Sequence, residues 1–116
     1  MIITVQTKGV DMTEPIREYT HDKLETLAKF FDGIVRVGAV VGQRSAHHQK
    51  GKIYFAEVNL DLPKKYTIRV EKEAEDLYKA IDKVKDHCKV ELEKVKNKIR
   101  AKDNEEIRGY KAYHME

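Results

Sequence analysis

Cysteine is nearly missing from this sequence of 116 residues: Cys88 stands alone and cannot close an intrachain disulfide. Proline is almost as rare, at two positions, Pro15 and Pro63, each placed where a chain starts a helix or turns. No apolar run approaches the length of a membrane span. The opening "MIITVQTKG" has neither the basic start nor the long apolar stretch of a signal peptide, so the expected location is cytoplasmic. Internal repeats and low-complexity segments are absent too. Chemistry-bearing motifs are equally scarce, with no glycine-rich phosphate loop, no serine elbow, no acid–base pair that the fold would unite, and no Cys or His pair at zinc spacing. These absences point away from an enzyme and from a cofactor.

What the sequence has is charge. Charged residues make up 37% of the chain, yet the net charge is only +3, so local patches matter more than the total. The length suits one domain with one core. We place that domain at residues 1–102 and expect 103–116, "DNEEIRGYKAYHME", to be a flexible polar tail.

Ile3 and Val5 alternate with Ile2, Thr4 and Gln6, the period of a strand that stops at Gly9. A helix is expected over residues 13 to 31, with Thr13 as N-cap, Pro15 in the first turn, Gly33 as stop, and Ile16, Tyr19, Leu24, Leu27 and Phe31 on one stripe. Three strands follow. In the first, Val35, Val37, Ala39 and Val41 share a face, while glycines opposite suggest a bend or close approach. Tyr54, Ala56, Val58, Leu60 and Leu62 form the inner set of the next, against outer Glu57, Asn59 and Asp61; Tyr66, Ile68 and Val70 repeat the pattern. A tight connection at Pro63 and a polar loop "SAHHQKGK" join them into an antiparallel meander. Finally Leu77, Ile81, Val84, Cys88, Leu92, Val95 and Ile99 advance by threes and fours, the stripe of a long helix. The order β-α-β-β-β-α makes the first two strands parallel across a right-handed crossover. The expected fold is an α/β (α+β) two-layer sandwich, a four-stranded mixed sheet with both helices on one face.

Lysines crowd that last helix beyond the needs of packing. At about 100° per residue they fall on two flanks of the stripe, Lys83, His87, Lys94 and Lys98 on one and Lys85, Lys89, Lys96 and Arg100 on the other. Lys102 ends the series. Such residues commonly form a solvated face whose stems cover the core edge. Cations one turn apart can equally follow a phosphate backbone, joined by Lys23 from the first helix and by Arg44, Lys50 and Lys52 around the long loop. No base-reading motif accompanies them, so RNA would be held by shape and phosphates.

Two segments carry a family resemblance. The first helix reads through Thr13, Ile16, Arg17, Tyr19, Lys23, Leu24, Leu27, Phe31 and Asp32, and the last helix opens with Asp76, Leu77, Tyr78, Ala80, Ile81 and Asp82. Together they resemble the ribosome hibernation-promoting factor family, also called ribosome-associated inhibitor A or sigma-54 modulation proteins. That resemblance covers residues 1 to 102 and implies a domain similar to double-stranded RNA-binding domains. It implies binding to the small ribosomal subunit, and to its 16S-type rRNA near the decoding centre, where the domain occludes messenger RNA and tRNA. Whole ribosomes are a further possible partner. Lys23, Lys94 and Lys98 match basic family positions; His87 stands where lysine is frequent and Val90 where arginine is common. Only a short tail follows Lys102, as in the family's short form, and a monomer is expected.

Two other readings stay open. His47 and His48 in one loop, His87 beside Cys88, and His114 would be the ligands of a metal-binding domain. A protein-interaction module modulating a sigma factor is the other, without an evident apolar groove for it.

Overall fold

Alternation in the first residues becomes strand β1, Ile2–Lys8, whose side chains alternate between exposed and half-buried. In the computed structural model residues 1–44 and 51–114 are described, with side chains through Lys102. Helix α1, Glu14–Glu25, begins where the Thr13 hydroxyl accepts the Ile16 N–H at 3.3 Å, satisfying one of the orphan donors of the first turn. It is shorter than its apolar stripe suggests. Thr26 turns its hydroxyl back onto the Lys23 carbonyl at 2.6 Å, and the chain tightens into a 3-10 turn over Thr26–Lys29. Leu27 and Phe31 remain buried across that change of pitch, but Phe30 is turned outward.

Strand β2, Arg36–Gln43, pairs parallel with β1, and β3, Tyr54–Asp61, and β4, Thr67–Ala74, complete an antiparallel meander, so the sheet order follows the chain. Register places Ile3 beside Val37, Val37 beside Leu60, and Leu60 beside Ile68, which stacks the apolar sets of all four strands on one face. Val35 belongs by parity to that face, but it precedes the strand and is 55% exposed, beyond the cover of the helices. At the other end of β2, Gly42 lies so close to β1 that a Cβ there would overlap the Lys8 carbonyl oxygen. This is the close approach that the glycines suggest.

Helix α2, Leu77–His114, starts with Asp76, whose carboxylate accepts the N–H of Tyr78 at 2.7 Å and of Lys79 at 3.4 Å. Its stripe from Leu77 to Val95 is buried against the sheet and α1, with Ile99 half-buried at the end. The backbone stays helical past Lys102, where the sequence pattern dissolves. Extending a formed helix needs no new nucleus, and residues 103–113 contain no proline and a single glycine, Gly109. At about 1.5 Å per residue its 38 residues span roughly 57 Å.

One core fills the space between the sheet and the helices, and Thr20, the one buried polar side chain among the described residues, donates to the Ile16 carbonyl at 2.7 Å. The two-layer α+β sandwich expected from the sequence is therefore the fold, with one sheet face uncovered by helices.

Candidate nucleic-acid interface

The site begins where α1 crosses the first turns of α2. Tyr19 donates to Asp82 at 2.6 Å, Lys23 approaches the same carboxylate at 3.6 Å, and the rings of Tyr19 and Tyr78 meet edge to face at 4.8 Å. The hydrogen bond to Asp82, with partial burial and the carboxylate's charge, pushes the Tyr19 hydroxyl up to about 12. Lys23 is thus a partner in a helix-to-helix clamp before it is a ligand for anything else.

Farther along α2 the first flank is largely occupied. Lys83 donates to the Glu73 carbonyl at 3.4 Å, tying the helix to the end of β4. Glu91 accepts from Lys94 at 3.2 Å and faces His87 at 3.3 Å, so one acid serves two of the expected cations. Donation by Lys94 is the largest influence on that carboxyl; with the positive charge nearby it outweighs partial desolvation and holds the group below the usual carboxylate range. Lys85, though placed on the second flank, is mostly covered and paired with Asp86 at 3.3 Å. Arg44 lies on the opposite side of the molecule, over the Phe55 ring at 4.3 Å and paired with Glu71 on the open sheet face. It therefore does not join the helical cations. Lys52 is exposed near that loop, and Lys50 lies outside the described residues.

The second flank is different. Lys89, Lys96 and Arg100 line a groove of about 590 Å³ between α2 and the 3-10 turn, which adds Lys29 and Phe30. Among the described residues none of these four cations forms an ion pair, and Lys89 instead lies 4.1 Å over the Phe30 ring. Asp86 and Glu93 are the acids of the groove, and Asp86 is already engaged by Lys85. A smaller cleft of about 310 Å³ continues past Lys96 and Arg100 over Phe31, Pro63 and Ile99. Lys98 and Lys102 are exposed and line neither cleft. Lys29, Phe30 and Asn97 were not singled out from the sequence: helical spacing puts Phe31 on the core stripe and leaves Phe30 off it, but nothing in the spacing tells that the 3-10 turn would form a groove with α2.

Metal ligation finds little support. His47 and His48 lie outside the described residues, and the side chain of His114 is not among those described. Cys88 is fully buried, and desolvation raises its thiol to about 12, which makes it a core residue and a poor thiolate. His21, Asp22 and Glu25 come within 4.8 Å of one another, but on the exposed surface of α1, where such a group is common without a metal.

A sheet backed by two helices, with a groove on the helical face whose cations form no ion pair among the described residues, defines an α+β module. More narrowly, the chain belongs to the family described as sigma 54 modulation protein / S30EA ribosomal protein, whose model matches residues 3–100. A ribosome hibernation promotion factor of Deinococcus radiodurans is 33% identical over 99 residues, covering 84% of this chain and 50% of that protein. One from Lactococcus lactis is 30% identical over 98 residues, covering 84% and 51%. The chain thus spans about half the length of these relatives. Among solved structures, the N-terminal domain of Protein Y from Thermus thermophilus superposes with a TM-score of 0.71 at 31% identity, covering 82% of this chain and 99% of that one. A ribosomal subunit interface protein from Coxiella burnetii gives 0.70 at 25% identity, covering 84% and 99%.

Proposed function

We propose that this protein is a ribosome-associated translation inhibitor that binds rRNA of the small subunit near the decoding centre and keeps messenger RNA and tRNA out. The observation that carries this reading is the cluster of Lys29, Lys89, Lys96 and Arg100, four cations converging from two elements with no ion-pair partner among the described residues. Leaving like charges together and unpaired works against the folded state through mutual repulsion. An external polyanion turns that arrangement into affinity through counterion release. The names of the relatives, hibernation promotion factors and a subunit interface protein, support the ribosome as the source of that polyanion. The mechanism is steric: a rigid wedge fills a channel, and no bond is made or broken. Such a factor acts where ribosomes are, and no described helix is long and apolar enough to cross a membrane.

Co-sedimentation with small subunits, with and without messenger RNA and initiator tRNA already bound, tests this. Saturable binding that disappears when both ligands are in place is the expected result. Binding indifferent to them would remove occlusion, and specific capture of another protein without ribosome binding would favour the sigma-factor reading.

A further inference from the structure

A row of cations explains attraction to phosphates but leaves Phe30 without a purpose. Its neighbour Phe31 is 6% exposed and belongs to the core, whereas Phe30 is 41% exposed on the groove wall, with Val90, 53% exposed, on the rim. Burying either would favour folding, so their exposure needs another cause or none. The groove supplies one. It combines an aromatic face, the side-chain amide of Asn97 and cations on both walls, in a volume within the roughly 300–1,000 Å³ of clefts that hold small ligands.

We propose that this groove takes one unpaired nucleotide of RNA, its base stacked on Phe30, its edge within reach of Asn97, and its flanking phosphates on Lys29, Lys96 and Arg100. The inference rests on the RNA-binding reading above and adds to it a specific site. Lys89 now covers the ring at 4.1 Å, so the face already holds an electron-poor partner. A base that displaces the ammonium exchanges a cation–π contact for stacking and releases Lys89 to a phosphate. Duplex RNA cannot do this, because its base faces are covered by their neighbours; a bulged or looped nucleotide can. An acidic peptide would match the charge but would make no use of a flat aromatic wall beside an amide.

The test compares wild type, Phe30→Leu and Phe30→Tyr for binding to small subunits across a salt series, with the melting temperature of each recorded. Leucine keeps apolar contact and removes the stacking face, so affinity should fall by about tenfold with an unchanged salt slope, and tyrosine should restore it. Leucine binding as tightly as wild type would overturn the nucleotide site while leaving ribosome binding in place. Failure of the wild type itself to bind would instead overturn the function proposed above, and this site with it. A photo-crosslinking residue in place of Val90 provides an independent readout. Label on an rRNA nucleotide supports the proposal; label on a ribosomal protein alone overturns it.

Discussion

Glu91 is the residue at which folding and binding compete most directly. Its carboxylate accepts a hydrogen bond from Lys94 at 3.2 Å and faces His87 at 3.3 Å, so it offsets positive charge on that flank. Because its pKa is depressed, what the pairing contributes to stability is present above the ordinary carboxylate range and is lost as pH falls through the depressed value. At neutral pH the negative charge is therefore fully present. Replacing Glu91 with Gln keeps the shape and an acceptor oxygen but deletes that charge, which frees Lys94 for a phosphate. Binding to small subunits should tighten by about threefold and the salt slope should steepen by up to about one unit. The melting temperature should barely move, because pairs this exposed contribute little to folding. Unchanged or weaker binding in equilibrium sedimentation would mean that this flank does not touch RNA.

At the scale of elements, the parallel pair β1–β2 is the most demanding contact in the fold. Gly42 allows the strand ends to approach until a Cβ would collide with the Lys8 carbonyl, and backbone cannot give way as a side chain can. Gly42→Ala should cost about 3 kcal/mol and lower the melting temperature by roughly 10 °C. Gly38→Ala on the same strand face is the control, since its Cβ would meet only the Thr4 hydroxyl, at an ordinary 3.7 Å. That variant should be neutral or slightly stabilising, because glycine weakens a strand interior; equal losses in the two would refute the close-approach account. The strands and the long stripe of α2 were legible in the sequence because their signal is periodic, and a period of two or of 3.6 survives any tertiary detail. The pairing of cations was less so. Glu91 and Lys94 lie three apart and can be read as neighbours, but Lys23 reaches Asp82, and Lys83 the Glu73 carbonyl, only because separate elements are packed together. Lys29, at the end of the 3-10 turn, and Phe30, which caps it, line the groove only because that turn packs beside α2, a contact between elements that no spacing rule announces.

For the molecule as a whole, a net charge of +3 conceals two unlike faces. On the open sheet face Arg69 pairs with Glu57 at 2.9 Å and Arg44 with Glu71, so acids of the sheet engage two of its arginines. Across the helical face the groove cations have no such partners among the described residues, and the field there extends about a Debye length, roughly 8 Å, into physiological salt. An approaching polyanion should therefore be oriented helix side first. If about five phosphates are neutralised, log affinity falls with log salt at a slope on the order of −4. Two charge reversals separate the flanks. Lys96→Glu with Arg100→Glu removes two groove cations and repels phosphates in their place, so the slope should drop to about −2 and affinity by at least about a hundredfold. Lys94→Glu with Lys98→Glu alters the family-matched basic positions, but Lys94 is already half neutralised by Glu91, and the loss should be several times smaller. Both proteins should melt close to wild type, since exposed lysines and arginines add little to folding. Should the Lys94 and Lys98 pair prove the more damaging with folding intact, the phosphate track runs along the first flank, and the groove is a bystander to ribosome binding.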